Sequence, residues 1–270
     1  MSEKAVILAG GLGTRMRATE PEPGLSAPQR AMAARGLKGM IPVGRPFLDY
    51  VLSGLADAGV ARVCLVIGPV HSEIREYYEG VGKPSRIRLE FAVQPRPLGT
   101  ADAVLVAEAY AELQPVLVVN GDNLYPRSAL TALRALPRAG LVGFRRSGLL
   151  HAGNIPPERI AAFALIEAGR ESELTRIVEK PTPGEAASFG ADPLVSMNAW
   201  LLPPTIYAAC RAIAPSSRGE LELQDAVRYA SEQLGERFRV IESQDGVLDL
   251  SRPEDIAEVA ARLRQSEARP

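Results

Sequence analysis

The sequence predicts an α/β protein whose core is a doubly wound, mostly parallel mixed sheet. Short apolar runs alternate with helical patterns along the first half of the chain. Each run is apolar at consecutive positions, which is typical of strands whose two faces are both covered by helices. With 270 residues, of which 46% are apolar, the chain is also long enough to bury a large core.

Four strands are predicted in the first half, at residues 5–9, 63–67, 87–93 and 116–119. Helical spacing of apolar residues predicts two helices between them, at residues 47–58 and 100–110. Strands and helices that alternate in this order are typical of parallel strands joined by helical crossovers. The first half therefore accounts for the parallel part of the sheet.

The second half has a different pattern. Strands are predicted at residues 160–166, 176–178 and 195–202, and the first two have no long helix between them. Helices are predicted at residues 204–212, 223–233 and 253–263. This order indicates an antiparallel or mixed extension of the same sheet without a linker, and thus a single domain over residues 1–270. The last seven or so residues are expected to fray.

Composition and charge exclude several classes of partner. The formal net charge is −1 and no block of Lys or Arg is present, so neither nucleic acid nor a membrane surface is expected as a partner. The N-terminal apolar run is too short for the core of a signal peptide, and no stretch approaches the length of a membrane span. A cytoplasmic protein is expected.

The cysteines and histidines do not indicate a soft-metal site. Cys64 and Cys210 lie in apolar segments and are predicted to be buried, inert thiols. His71 and His151 are far apart and have no Cys or His neighbours at metal-ligand spacing. A zinc site is therefore not expected, and any metal should be a hard cation bound by carboxylates.

A glycine-rich stretch, AVILAGGLGTRM, includes and follows the first predicted strand. Gly10, Gly11 and Gly13 allow a tight turn that brings backbone N–H groups close to an anion, and Arg15 adds a permanent positive charge. The stretch matches neither the dinucleotide fingerprint nor the P-loop, which requires a lysine that is absent here. Glycines at the carboxyl end of a first strand lie where open α/β sheets bind ligands. The alternative is a tight turn whose glycines bind nothing.

The segment at residues 17–39 is long for a connection between a strand and a helix. Within it, Ser26 is predicted to cap a short helix at about residues 28–35 that ends at Gly36. Two interpretations of the segment stay open at this point: a surface insertion, or a lid over the ligand that the glycine loop holds.

The stretch LAGGLGTRM, followed by Lys38 and the sequence IPV, resembles the first motif of the sugar-1-phosphate nucleotidyltransferases, or nucleotide-sugar pyrophosphorylases. The segments QPRPLGTADA, VVNGDNLY, IVEKP, GELELQDAV and DLSRPEDI match further family motifs in order, so the resemblance covers nearly the whole chain. It implies a Rossmann-like fold of the glycosyltransferase-A type, with a nucleotide-binding half at about residues 1–125 and a sugar-binding half at about residues 126–270.

The resemblance also implies a reaction and a set of site residues. The family joins a nucleoside triphosphate to a sugar-1-phosphate, releases pyrophosphate and uses Mg²⁺; its members commonly assemble, and a homo-oligomer stays open here. The implied catalytic residues are Arg15 and Lys38, and the implied Mg²⁺ ligands are Asp122 and Asp249. The implied nucleotide-binding residues are Leu8, Gly10, Gly11, Gly13, Thr14, Gln94, Gly99 and Thr100. The implied sugar-phosphate-binding residues are Glu179, Lys180 and Asn198.

Some of these residues also have simpler interpretations. Arg15 could form a surface pair with Glu20 or Glu22. Asp122 could cap the turn that follows its strand, and Thr100 could cap a helix after a plain strand-to-helix turn. The order of the motifs along the chain favours the functional interpretation in each case.

Several positions depart from the family pattern. Lys38 is flanked by Leu37 and Gly39 where proline is usual, and leucines flank Asp249. Trp200 stands near a position where many members have glycine, and it is predicted to be a core aromatic residue. These departures motivate one alternative, a catalytically weak homologue that binds nucleotide sugars and regulates. A second alternative is an enzyme that keeps the loop and has a non-sugar phosphate acceptor. The first would bind ligand without turnover, and a panel of acceptors would identify the second.

Overall fold

Strands and helices alternate along the computed structural model, which describes residues 2–18 and 24–270. The strands are β1 Lys4–Leu8, β2 Arg62–Ile67, β3 Arg88–Val93, β4 Val116–Asn120, β5 Asn123–Leu124, β6 Gly140–Arg145, β7 Ala164–Ala168, β8 Leu174–Val178, β9 Leu194–Leu202, β10 Arg239–Ser243 and β11 Leu248–Asp249. The helices are α1 Thr14–Ala18, α2 Ala27–Arg35, α3 Phe47–Asp57, α4 Ser72–Glu79, α5 Thr100–Leu105, α6 Glu108–Ala111, α7 Arg127–Arg134, α8 Arg146–Ala152, α9 Pro157–Ile160, α10 Pro183–Ala187, α11 Ile206–Ala212, α12 Leu223–Gln233 and α13 Pro253–Leu263. Short 3₁₀ turns lie at Lys38–Met40 and Arg170–Ser172.

Within the described residues, nine strands form one mixed sheet with the path β10-β6-β9-β4-β1-β2-β3, and β7 and β8 extend it from β9. Strands β1 to β4 are parallel to one another, whereas β9 is antiparallel to β4, β6 and β7. Strands β5 and β11 form a separate antiparallel pair. The predicted mixed sheet, parallel in the first half of the chain and extended by antiparallel strands, is confirmed.

Apolar side chains are buried on both faces of the sheet, as the prediction of a doubly wound fold requires. Ala5 and Ile7 of β1 belong to one core cluster, which includes the apolar residues of α3. Val6, which points to the opposite face, belongs to a second cluster with residues of α5, α11 and α12. Trp200 is fully buried in this second cluster, so its prediction as a core aromatic residue is confirmed.

The order of the strands creates a crevice between the ends of β1 and β4. The chain continues from β1 to β2 on one side of β1, while β4 lies on the other side. In open α/β sheets, ligands bind outside the carboxyl ends of the strands at such a switch point. The glycine loop at residues 9–13 follows β1, and Asp122 follows β4. The topology therefore directs both towards one crevice.

Some predicted elements differ in the structure. The strand predicted at residues 160–166 is wrong in its first part, because Pro156 and Pro157 start the short helix α9 and β7 begins only at Ala164. The helix predicted at residues 100–110 is two helices, α5 and α6. Strand β6 was not predicted, since Gly140 and Gly143 interrupt its apolar run.

The C-terminal residues do not fray as expected. The backbone N–H of Arg269 donates to Oγ of Ser53, and the carbonyl oxygen of Pro270 accepts from the backbone N–H of Ser85. These bonds hold the end of the chain against α3 and the loop before β3. In residues 2–18 and 24–270, no helix is long and apolar enough to cross a membrane.

The described part of the segment at residues 17–39 contains the predicted helix. Oγ of Ser26 accepts from the backbone N–H of Gln29, whose side chain in turn accepts from the backbone N–H of Ser26, so α2 begins with a capping box. Gly36 ends the helix in the left-handed conformation, with φ of 71°. Both predicted helix boundaries are confirmed within one residue.

The two cysteines are buried. Burial raises the pKa of Cys64 and of Cys210 to about 12, so neither thiol ionises near neutral pH. The prediction of buried, inert thiols is confirmed.

Candidate active site

The glycine loop at residues 9–13 is packed tightly at one position and open at another. A Cβ atom on Gly13, whose φ is 60°, would lie 2.4 Å from the carbonyl oxygen of Gly36. Because Gly36 ends α2 in the left-handed conformation, the two glycines pack backbone against backbone. A Cβ atom on Gly11 would meet nothing within 4 Å. Gly13 therefore supports the loop, and Gly11 leaves room for a ligand.

A cavity of about 370 Å³ opens beside this loop, at the carboxyl ends of β1 and β4. Its volume is in the range of small-molecule sites. The sequence-predicted residues that line it are Leu8, Gly10, Gly11, Thr14, Gln94, Gly99, Thr100, Asp122 and Asn198. The fold thus gathers most of the predicted nucleotide-binding residues around one space. Asn120 and Glu220, which stand in two of the sequence motifs but were given no role there, also line it.

Gln94 follows β3 and is buried with its amide nitrogen turned inward. Nε2 donates to the carbonyl oxygen of Gly99 at 3.0 Å and to Oδ2 of Asp102 at 2.8 Å. Since both partners only accept hydrogen bonds, they fix the direction in which the amide faces. Oε1 remains as an acceptor and lies 3.4 Å from the position that a Cβ atom on Gly10 would occupy. Asp102 therefore determines which hydrogen-bonding atom Gln94 presents beside the glycine loop.

The loop at residues 94–100 is fastened to the start of α12. Gly99 has φ of 117°, and a Cβ atom there would lie 2.5 Å from the carbonyl oxygen of Leu221. The backbone N–H of Leu221 donates to the carbonyl oxygen of Leu98 at 2.7 Å. Oγ1 of Thr100 accepts from the backbone N–H of Leu223, the first residue of α12, at 2.9 Å. Thr100 thus satisfies an N-terminal donor of a helix other than its own.

Lys38 lies next to Asp122 in a smaller cavity of about 70 Å³, which Gly11 also lines. Nζ of Lys38 is 2.8 Å from Oδ2 of Asp122. Burial lowers the pKa of Lys38, but the charge and hydrogen bond of Asp122 and the charge of Asp249 outweigh it. The pKa of Lys38 is therefore raised above its ordinary value, and the ammonium stays charged at neutral pH.

Arg15 lies in the first turn of α1, directly after the glycine loop, and is exposed. Its charge lowers the pKa of Lys38, so the two predicted catalytic cations are within electrostatic reach of each other. The alternative partners Glu20 and Glu22 lie outside the described residues.

Asp122 and Asp249 meet at the same edge of the sheet. Strands β5 and β11 place Asn123 opposite Asp249, and the backbone N–H of Leu250 donates to the carbonyl oxygen of Asp122 at 2.9 Å. Burial, and then the charge of Asp122, raise the pKa of Asp249 to about 6 against the opposing charge of Arg159. The structure therefore brings the two predicted metal ligands within electrostatic reach of each other.

One carboxylate oxygen of Asp249 has no hydrogen-bond partner among the described residues. Oδ2 accepts from Nδ2 of Asn123 at 3.2 Å, whereas Oδ1 is buried and has no hydrogen-bond partner in the described part of the chain. Nη2 of Arg159 lies 3.5 Å from Oδ1, too far for a good hydrogen bond but near enough to balance its charge. Two carboxylates suit Mg²⁺, which keeps its other positions for water and phosphate oxygens. The residues present therefore fit this ion.

A dedicated protein cage for a metal is not found. Across residues 2–18 and 24–270, no group of three or more His, Cys, Asp or Glu side chains could hold a metal ion. A cation at Asp122 and Asp249 would thus take its further ligands from water or from substrate oxygens.

Glu179 and Lys180 follow β8 and adjoin the segment before α12. Burial, and then the charge of Glu222, raise the pKa of Glu179, while Lys180 and Arg218 lower it. Arg218 pairs with Glu222, and Glu220 of the same segment lines the larger cavity. Lys180 has φ of 46°, which is uncommon for a residue other than glycine. The predicted pair thus lies next to the wall of the cavity and not in it.

Asn198 reaches the larger cavity from β9. Its Oδ1 accepts from Nε2 of Gln224 at 2.9 Å and from Nε1 of Trp200 at 3.3 Å. Because both bonds use the amide oxygen, the amide nitrogen remains as the donor that Asn198 offers to a ligand.

A family model described as nucleotidyl transferase matches residues 4–266. The chain belongs to the nucleotidyl transferase family. It is 30% identical to the bifunctional protein GlmU of Methanococcus vannielii over 93% of this chain and 53% of that protein. It is also 30% identical to a glucose-1-phosphate thymidylyltransferase of Streptomyces griseus, over 84% of this chain and 56% of that protein. The chain thus spans about half the length of these two relatives.

Another relative matches along its whole length. The UTP–glucose-1-phosphate uridylyltransferase AglF of Haloferax volcanii is 25% identical over 97% of both chains. Among solved structures, a UDP-glucose pyrophosphorylase complexed with UDP-glucose aligns with a TM-score of 0.74 over 99% of this chain and 100% of that one, at 18% identity. The predicted Rossmann-like, glycosyltransferase-A-like nucleotidyltransferase fold is confirmed.

Proposed function

We propose that this protein condenses a nucleoside triphosphate with a sugar-1-phosphate to give a nucleoside diphosphate sugar and pyrophosphate. The observation that carries the proposal is the meeting of the glycine loop, the Lys38 ammonium and the carboxylates of Asp122 and Asp249 at the switch point of the sheet. Family membership and the names of the relatives support it. These groups are the donors, fixed cations and oxygen ligands that the transfer of a nucleotidyl group requires.

In the proposed reaction, a phosphate oxygen of the sugar-1-phosphate attacks the α-phosphorus of the triphosphate. The bond between the α-phosphorus and the oxygen that bridges to the β-phosphorus breaks, and pyrophosphate leaves with that electron pair. Both reactants are anions, so the protein must neutralise them and hold them in line. The open backbone at Gly11 would donate to the phosphates, and the guanidinium of Arg15 would bridge their oxygens.

Lys38 and the two carboxylates have complementary tasks in this proposal. Asp122 and Asp249 would hold Mg²⁺, which when bound supplies positive charge to the reacting phosphate. The Lys38 ammonium pairs with Asp122 in the structure and would stabilise charge on the departing pyrophosphate. Glu179, Lys180 and Asn198 would bind the sugar phosphate from the other half of the chain. A cytoplasmic location and assembly into a homo-oligomer remain predictions from the sequence and the family resemblance.

We expect the triphosphate to be UTP or dTTP, a choice with which the orientation of Gln94 is compatible. Asp102 and the carbonyl oxygen of Gly99 hold the amide so that Oε1 is its free atom. An acceptor pairs with an N–H group of the base, which uracil and thymine offer at N3. Guanine and the amino groups of cytosine and adenine also donate, so this contact alone does not select the base. The named activities of two relatives, a thymidylyltransferase and a uridylyltransferase, agree with this choice.

The test is pyrophosphate release across UTP, dTTP, CTP, ATP and GTP, each with several sugar-1-phosphates and one alcohol phosphate, in Mg²⁺ or in EDTA. We expect turnover with UTP or dTTP and a sugar-1-phosphate, and none in EDTA. Arg15→Ala should lower the rate about a hundredfold or more, and Arg264→Ala, at the exposed end of α13, should not. Binding without turnover would favour the regulatory homologue, and turnover with the alcohol phosphate alone would favour a non-sugar acceptor.

A further inference from the structure

Asn154 binds both backbone groups of Asp249 with its side-chain amide. Nδ2 of Asn154 donates to the carbonyl oxygen of Asp249 at 2.8 Å, and the backbone N–H of Asp249 donates to Oδ1 of Asn154 at 2.7 Å. Asn154 is 9% exposed, so these bonds form away from water. The amide thus provides the pair of bonds that a neighbouring strand would otherwise provide.

Asp249 needs such a partner because its strand is short. Strand β11 has two residues and pairs with β5, which also has two. A strand pair of this length is a weak support on its own. Strand β5 satisfies one side of the backbone, and the Asn154 amide satisfies Asp249 on the other side.

The segment that carries Asn154 is itself anchored. The carbonyl oxygen of Gly153 accepts from Nη2 of Arg262 at 2.9 Å. Five residues beyond Asn154, Arg159 donates to both carboxylate oxygens of Asp255 at 2.9 and 3.0 Å. Asp255 also accepts from the backbone N–H groups of the two residues that precede α13, Ser251 and Arg252. The segment is therefore bound to α13, the helix that follows Asp249, on both sides of Asn154.

We propose that Asn154 is a positioning residue for the divalent cation, which it serves by fixing the backbone that carries the Asp249 carboxylate. The inference rests on the proposed function, because it takes Asp249 as a ligand of that cation. Residues that orient metal ligands typically change metal affinity about 10–100-fold when they are replaced. No motif marks Asn154, since it acts on a residue 95 positions later in the sequence.

The experiment measures Mn²⁺ binding to the full chain by electron paramagnetic resonance, with Mn²⁺ as the probe for the site. Asn154→Leu keeps a similar volume and removes both hydrogen bonds, so we expect the Kd for Mn²⁺ to rise about 10–100-fold. Asp249→Asn should weaken binding further. Ser53→Ala is the control, because it removes a buried side chain of α3 that accepts from the backbone N–H of Arg269, and it should leave the Kd unchanged.

Steady-state kinetics separate positioning from general damage. At saturating Mn²⁺, Asn154→Leu should recover most of its kcat, with the KM for the triphosphate near that of the original protein. Should Asn154→Leu not fold, Asn154→Ser is smaller and polar but too short to span both backbone groups, and it should show the same direction of change.

Two results would overturn the inference, and they differ in what else they affect. If the Asn154 variants lose stability but bind Mn²⁺ as the original protein does, Asn154 has a structural role alone and the proposed function stands. If Asp249→Asn binds Mn²⁺ as tightly as the original protein, Asp249 is not a ligand, and both the inference and the metal part of the proposed function fail.

Discussion

Asp122 and Asp249 are neighbours in space, but the protein holds them in different ways. The side chain of Asp122 is 26% exposed and pairs with one lysine, Lys38, at the mouth of a cavity. The side chain of Asp249 is 5% exposed and contacts Asn123 and Arg159, while Asn154, from the same segment as Arg159, holds the backbone of Asp249. The carboxylate of Asp122 is thus stabilised by solvent and by Lys38, and the carboxylate of Asp249 by buried side chains.

The difference decides which of the two carboxylates is destabilised when both are ionised. Water and Lys38 reduce the cost at Asp122. At Asp249, burial and the charge of Asp122 raise the pKa to about 6, so the ionised form is held at a cost that Arg159 only partly offsets. A divalent cation between the two would relieve that cost. Asp249 is therefore the carboxylate whose behaviour depends most on the rest of the fold.

The largest expected effect is on catalysis, and it tests whether the two carboxylates share one task. Asp122→Asn and Asp249→Asn should each lower the rate of pyrophosphate release about a hundred- to a thousandfold, because each would remove a charged ligand of the proposed cation. If both carboxylates hold the one cation, as proposed, the double variant should be little worse than either single variant. Initial rates over a Mg²⁺ titration would measure this, with Asp57→Asn as an exposed control. Full activity in either single variant would contradict a shared site.

Gly13 and Gly11 offer a second comparison, between a glycine that supports the loop and a glycine that leaves room for a ligand. Gly13→Ala should lower the free energy of unfolding by about 2–4 kcal/mol, because alanine disfavours φ of 60° and its Cβ would overlap the carbonyl oxygen of Gly36. Gly11→Ala should change it by less than about 0.5 kcal/mol and instead raise the KM for the triphosphate. Urea unfolding and steady-state kinetics would check the pair. Equal loss of stability in both variants would contradict the distinction.

The raised pKa of Asp249 predicts a smaller effect, on stability. Its folded pKa of about 6 lies above the ordinary value of 3.8, so the folded state binds more protons than the unfolded state between about pH 4 and pH 6. Without divalent cations, the contribution of protonated Asp249 to the free energy of unfolding is therefore lost as the pH rises through that range. Between pH 4 and pH 7, the original protein should lose about 1–3 kcal/mol relative to Asp249→Asn.

Urea unfolding in EDTA at these two pH values would measure the difference. If Asp249→Asn has the same pH dependence as the original protein, the carboxylate is not held at a cost.

The smallest expected effect concerns the base. Asp102→Asn should allow the side-chain amide of Gln94 to flip by 180°, since an amide at position 102 can both donate and accept. The preference for the favoured triphosphate over CTP should then fall about three- to tenfold in kcat/KM, with little change in stability. Competition assays with mixed triphosphates would measure it. An unchanged preference would show that Gln94 is oriented by Gly99 alone.

Much of the site could be predicted because its residues stand in contiguous motifs. The glycine loop, Gln94 and Asp122 each follow a strand of the parallel part of the sheet, and parallel strands bring their carboxyl ends to one edge. Asp102, Asn154 and Arg159 were missed for the opposite reason. Each contacts a candidate binding residue directly, Gln94 or Asp249, and would reach a ligand only through that residue. Asn154 and Arg159 also lie before residue 160, in a stretch for which no helix or strand was predicted.

By itself, the sequence determined the α/β class, the strands of the first half, the caps of α2 and the family, because apolar periodicity, helix-capping residues and ordered motifs are local properties of the chain. Only the tertiary structure decided that Gly13 packs against Gly36, that Gln94 presents its oxygen and that Asp249 is buried with a raised pKa. These features depend on burial and on contacts between distant segments. Such contacts form only when the chain folds, so no local sequence pattern encodes them.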